Sequence, residues 1–112
     1  MKQISFEDIG AVCATFAAQE GVKAGQVVKL AGNATVGPCT DGDAFAGVAL
    51  EEGSWVGVQV KGFLTVAASS ALTPGWAVLA ADGTGGVKTS ASGVSCLVAD
   101  YDSTAHTAVI CL

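Results

Sequence analysis

The residues able to carry chemistry are few. Cysteines stand at Cys13, Cys39, Cys96 and Cys111, and the single histidine, His106, lies five residues before Cys111. Thiolates and an imidazole are good zinc ligands, but zinc sites show tight local pairs, and no two of these cysteines are spaced as CxxC. The four thiols read as small buried hydrophobes in a reducing compartment. A nucleophilic triad needs a base held by an orienting acid. His106 is the one imidazole for that role, it falls in a predicted C-terminal strand, and there is no GxSxG elbow. Asp41 with Asp43, and Asp100 with Asp102, have the i, i+2 spacing that can ligate calcium. Neither pair has the further ligands of a calcium loop, so both read as solvated turn acids. Glu51 and Glu52 are adjacent at a strand end and point to opposite faces. Asp82-Gly83-Thr84-Gly85-Gly86 is glycine-rich but leads into Val87-Lys88 without a helix, so it is no phosphate cradle. Trp55, Trp76 and Tyr101 offer ring faces to a sugar or a base, although packing in a core or an interface is the commoner use of such rings. The chain is expected to be no enzyme, with no catalytic residue, no cofactor and no metal site.

Composition narrows the partners. The chain has 112 residues, the length of one domain. It has 5 basic residues, all lysine, against 10 acids, a net charge of −5. Lys2, Lys23, Lys29, Lys61 and Lys88 are scattered, and no arginine is present to fork onto phosphate. Direct contact with nucleic acid or with an anionic membrane is not expected. The longest apolar run, Ala44 to Leu50, is far below the roughly 20 residues that span a bilayer. The N-terminal residues carry Glu7 and Asp8 where a signal peptide is apolar, which points to synthesis in a cytosol-like compartment. Hydrophobic residues make up 51% and charged residues 13%. A typical soluble domain has about 25% charged residues. The shortage implies that part of the surface faces another protein.

The elements that would position these residues repeat at an offset of 50. Thr15/Thr65, Ala17/Ala67, Ala18/Ala68, Gly25/Gly75, Val28/Val78, Ala31/Ala81, Val48/Val98 and Ala49/Ala99 are identical pairs. One later insertion aligns Val58 and Val60 with Val109 and Cys111 at an offset of 51. The chain therefore reads as an N-terminal arm over 1–10 and a single β-domain over 11–112. That domain has two related halves, about 11–60 and 61–112. Ile9, Val12, Cys13 and Phe16 have helical spacing, but the matching segment Gly62 to Ala67 favours a strand, so Ala11 to Ala18 is predicted as strand. A short helix over 5–10 stays an option. Further strands are expected at Gln26–Leu30, Ala34–Pro38, Phe45–Leu50, Ser54–Ala67 with a bend at Gly62, Trp76–Ala80, Val87–Ser90, Val94–Ala99 and His106–Leu112. Phe45 to Leu50 is continuously apolar and is expected to be buried on both faces. Trp55, Gly57, Gln59 and Lys61 should share one face, and Val56, Val58 and Val60 the other. Turns are expected at 39–43, 51–53, 82–86 and 100–103. The fold class is all-β, a small barrel or sandwich with two pseudo-symmetric halves.

Two family resemblances bear on function. Glu20-Gly21-Val22-Lys23-Ala24-Gly25-Gln26-Val27 resembles the turn of biotinyl and lipoyl carrier domains. Their modified lysine has no counterpart here, since Lys61 and Lys88 lack its flanking residues. A small β module that carries such a group, or binds carbohydrate, is the alternative reading. The longer resemblance, over about 11–112, is to the small capsid decoration (cement) proteins of tailed bacteriophages and prophages. It rests on the order of loose motifs. They are Val22 to Leu30 (V-x-x-G-x-V-V-x-L), Gly47-Val48-Ala49, Val58 to Val66 (V-x-V-x-G-x-x-x-V), Gly75-Trp76-Ala77-Val78 and Val109-Ile110-Cys111-Leu112. The resemblance implies a non-enzymatic protein on the outer surface of the virion, made in the host cytoplasm. It further implies a homo-oligomer, with a trimer favoured, bridging subunits of the major capsid protein. On that reading the contact residues are Ile4, Phe6 and Ile9 in the arm, then Trp55 and Trp76.

Overall fold

The computed structural model describes residues 11–112. The expected arm over 1–10, its optional helix, and Ile4, Phe6 and Ile9 lie outside the described residues. The first half supplies β1 (Val12–Ala18), β2 (Val27–Gly32), β3 (Thr35–Pro38), β4 (Gly47–Ala49) and β5 (Trp55–Lys61). The second supplies β6 (Phe63–Ala67), β7 (Gly75–Ala81), β8 (Val87–Thr89), β9 (Val94–Asp102) and β10 (Thr107–Cys111). Among the described residues the regular structure is all β.

The repeat is written into the topology. The first half closes into a barrel in the order β1-β3-β2-β4-β5, and the second forms an open sheet in the order β6-β10-β9-β7-β8. Moving each first-half strand five places along the chain turns β1·β5 into β6·β10 and β4·β5 into β9·β10. It likewise turns β2·β4 into β7·β9 and β2·β3 into β7·β8. All eight pairings are antiparallel. One contact has no counterpart, the short parallel pair of β1 with β3 at Ala17↔Thr35 and Ala18↔Val36 that closes the barrel. Gly25 and Gly75, identical under the repeat, both take positive φ, 81° and 124°, where a side chain is strained. Gly62, at φ 97°, makes the expected bend between the halves.

The register corrects one part of the repeat. Ala14 faces Val58 across β1 and β5, while its counterpart Leu64 faces Ile110 across β6 and β10. The last strand therefore aligns at an offset of 52, and Val58 corresponds to Ile110 rather than Val109. Side chains alternate, so a slip of one residue exchanges faces. Val58 and Ile110 are both fully buried, whereas Val109 is half-buried.

Two cores share a wall. Val22, Val28, Val36, Ala49, Val56 and Val58 fill the barrel. The larger core lies between barrel and sheet, where Val27, Phe45 and Val48 meet Leu64, Val66, Leu79, Val98 and Ile110. Val27 and Val28 are neighbours on β2 and alternate into different cores, as do Val48 and Ala49 on β4. This double burial is what the continuous apolar run predicts, although only Gly47–Ala49 is strand and Phe45 packs from the preceding loop. The halves also exchange backbone bonds. Val27 N–H donates to Gly85 C=O at 3.0 Å, Gly42 N–H to Ala81 C=O at 2.9 Å, and Ala81 N–H to Asp43 C=O at 2.9 Å.

One expected turn is displaced. Asp100, Tyr101 and Asp102 belong to β9, because Tyr101 pairs with Ala108 and Asp102 with Thr107. The register shift beside Ile110 leaves Ala99 unmatched and carries the ladder on. The turn falls at 103–106, and His106, expected to open the last strand, ends that turn at φ 55°.

Candidate interaction surface

The titratable residues build loops. Asp43 accepts from Lys29 Nζ at 2.7 Å and from the Thr40 N–H and hydroxyl at 2.9 Å each. Lys29, then the two Thr40 donors, hold the Asp43 carboxyl down at about 2. The same hydrogen bond raises Lys29. Burial, then the Asp43 charge, pushes the nearby Cys39 thiol up to about 11 against the pull of Lys29, so Cys39 is no ready nucleophile. Asp82 accepts from Thr84 N–H at 2.8 Å, Thr84 hydroxyl at 2.7 Å and Gly86 N–H at 3.2 Å. Burial works to raise its carboxyl, and these donors outweigh it and lower it. Asp102 accepts from the N–H groups of Thr104 and Ala105, and Glu51 from Gly57 N–H. Asp41 pairs with Lys88. These are turn-closing contacts of the kind short acids make. Among the described residues, no three of His, Cys, Asp or Glu gather into a metal-holding group. Cys96 is buried, Cys39 and Cys111 are half-buried, and Cys13 is exposed. Tyr101 packs half-buried against the larger core.

The two tryptophans stand apart. Trp55 begins β5 in the barrel and is 68% exposed, and Trp76 lies on β7 in the second sheet and is 78% exposed. The structure does not bring them together on one sheet. Trp76 instead ends a row that runs straight across four strands. Phe63 faces Cys111, Cys111 faces Leu97, and Leu97 faces Trp76. Three strand spacings of about 4.8 Å make this row about 14 Å long. Val78 and Val109 flank it, and the intervening positions Thr65 and Ser95 are uncharged. The opposite faces of the same strands carry Leu64, Cys96, Val98 and Ile110 into the larger core. The second sheet thus turns an apolar face to the barrel and carries this apolar row outward, with Asp100 beside Val109 at the margin of the same face. The sequence reading found Trp76 but missed Phe63, Leu97, Val78 and Cys111. Their signal is Trp76-x-Val78 and Phe63-x-Thr65, period-two positions with nothing charged among them.

A groove of about 410 Å³ lies where the halves join, lined by Gly25, Val48, Ala49, Leu50, Gln59 and Phe63 to Thr65. Gln59 Nε2 bridges its rim, donating to Lys61 C=O and Phe63 C=O at 3.1 Å each. No protein-family model matches the chain, and a search of curated proteins returns no match.

Proposed function

We propose that the chain is a non-enzymatic capsid decoration protein, a β-domain that binds the outer surface of an assembled phage head and bridges major capsid subunits. The observation that supports this best is the outward apolar row ending in Trp76, on a sheet whose other face is fixed to the barrel. A large ring standing out at the end of an apolar row on a rigid sheet is the form of a protein-contact anchor. The order of motifs shared with decoration proteins supports the same reading. Binding only the expanded shell stabilises it by mass action, and the symmetry of a head multiplies contacts that are weak singly. In this reading the protein acts as an oligomer, a trimer being favoured. The segment 1–10, with Ile4, Phe6 and Ile9, adds a second contact with the capsid.

Co-sedimentation with expanded, empty heads of tailed phages tests it. The unaltered chain is expected to pellet with heads. Trp76→Ser, at an exposed position, is expected to lose at least tenfold in affinity while keeping its melting temperature. Deleting residues 2–10 is expected to weaken binding and leave the fold. Absence of binding by the unaltered chain overturns the reading. So does a lysine-borne mass increment, or a tryptophan fluorescence response to a glycan, each of which favours a carrier or sugar-binding module.

A further inference from the structure

The first strands of the two halves leave matched open edges. Leu112 N–H donates to Gly62 C=O at 3.0 Å and Ala68 N–H to His106 C=O at 2.8 Å. Even-numbered residues of β6 therefore face β10, and alternation turns the N–H and C=O of Phe63, Thr65 and Ala67 to the other edge. On β1, Ala18 N–H donates to Ser54 C=O on the β5 side, and Ala17 N–H to Ala34 C=O on the other, both at 2.9 Å. Cys13 and Thr15 share the parity of Ala17. The parallel β3 contact covers this edge from Ala17 to Gln19. Among the described residues no strand runs along Cys13 to Thr15. On β6 the far end of the edge meets Gly86, so tightly that a Cβ there would fall on the Ala67 carbonyl. The near end opens onto the 410 Å³ groove. Gln59 Nε2 takes the Phe63 carbonyl there, and the Thr65 N–H and C=O turn to the groove.

The two edges differ in shape and agree in charge. β1 projects, with Val12 to Thr15 exposed on both faces, and Val12–Ala18 holds no charged residue. The β6 edge is recessed between walls from the other half, and none of its lining residues is charged. β8, at the opposite end of the second sheet, carries Lys88 paired with Asp41, the usual protection of an edge against stray pairing. Among the described residues, β1 and β6 carry no such protection.

We propose that the β1 edge of one copy docks in the β6 groove of the next, adding a strand there and joining copies head to tail. The occupant is a second copy of this chain. The barrel shows that the repeat accepts a strand on this edge, since β3 lies beside Ala17 and Ala18, the counterparts of Ala67 and Ala68 at the far end of the β6 edge. Copies with a net charge of −5 repel, so contact is least opposed where neither surface carries charge. Each copy offers one projecting edge and one recessed edge. Such a contact is heterologous and closes into a ring when its rotation divides a full turn. The inference stands apart from head binding and is read on the purified chain alone.

The test moves one thiol. Chains with Cys13→Ser and Thr65→Cys are mixed with tagged, otherwise unaltered chains that keep Cys13. Paired strands place opposed Cα atoms about 4.5–5.5 Å apart, inside the range a disulfide spans. Mild oxidation is expected to give a tagged–untagged dimer on a non-reducing gel, lost when the tagged chain carries Cys13→Ser. Light scattering is expected to give a multiple of the 11.0 kDa chain mass. Thr15→Pro should reduce it to one chain with an unchanged melting temperature, because the lost N–H points away from β5. A single-chain mass for the unaltered protein overturns the proposal, as does a Cys13–Cys13 link or a link formed only within one chain. If the Thr65→Cys chain fails to fold, the Thr15→Pro scattering result decides alone.

Discussion

Trimming Val27 or Val28 to alanine should lower one and the same unfolding transition. Each side chain is 1% exposed, yet Val27 packs between the halves and Val28 inside the barrel. Val→Ala removes two methyl groups, about 1.6 kcal/mol at roughly 0.8 kcal/mol each. A cavity left partly open adds about 1 kcal/mol at about 24 cal/mol per Å³. Each substitution thus costs about 2.5 kcal/mol. Unfolding entropy of about 2.1 cal/mol/K per residue, over 112 residues, converts this to a fall in Tm of about 10 °C. Because β2 is the common wall, neither core can empty without the other. Differential scanning calorimetry should show a single peak for both variants, with calorimetric and van't Hoff enthalpies equal. Two resolved peaks, with Val28→Ala lowering one alone, would refute the common wall. A fall below about 3 °C for Val27→Ala would refute the packing of the two halves against each other.

Two further outcomes follow from the titratable groups. The Asp43 carboxyl is held at about 2 from an ordinary 3.8, so its stabilising contribution is present above pH 3.8 and lost as pH falls through 2. Asp43→Asn should flatten the acid side of the stability profile between pH 4 and 2, measured by urea midpoints, and parallel acid limbs would count against the Lys29–Asp43–Thr40 contacts. Iodoacetamide at pH 8 should modify exposed Cys13 first and Cys96 last, since burial and then Cys111 push the Cys96 thiol up to about 11. Equal rates at the two sites in the native protein, followed by mass spectrometry, would contradict the buried position of Cys96.

Strand placement was legible because its signals are local. Trp55-Val-Gly-Val-Gln-Val-Lys61 alternates outward and inward as its side chains demand, and Gly25 and Gly75 mark turns that need positive φ. The double burial of β4 was legible too, since an apolar run flanked by turns has no polar face to present. The slip in the last strand was not. Val109, Ile110 and Cys111 are all apolar, so hydropathy cannot say which face each takes, and only pairing with β6 decides. The displaced turn at 100–103 failed for a similar reason. Asp100 and Asp102 have turn chemistry, but the ladder with β10 supplies backbone partners that override it. The outward row was hidden because Phe63, Leu97 and Cys111 come from three strands far apart in sequence. Their adjacency exists only once the strand order is known.

The shortage of charge noted in the composition has an address in the fold. Acids gather in the turns and at one strand end: Asp41 and Asp43, Glu51 and Glu52, Asp82, and Asp100 and Asp102 at the end of β9. Most of them bind backbone donors or a lysine there. Among the described residues, charge is absent from β1, from the outer edge of β6, and from the Phe63–Cys111–Leu97–Trp76 row. Both ends of that geometry converge, because Phe63 belongs to the row and to the rim of the groove. A monomer exposing an unprotected edge and an apolar face joined at one residue would be prone to uncontrolled pairing. Evolution retains such a surface when a defined partner covers it. A second copy in the groove would cover the edge and leave Trp76 outward, with Phe63 the residue shared between that contact and the proposed capsid contact. If the row is kept for the proposed capsid contact, iodide should quench Trp76 in the free oligomer as readily as free tryptophan. A Trp76 shielded in the free oligomer would assign the row to the contact between copies instead.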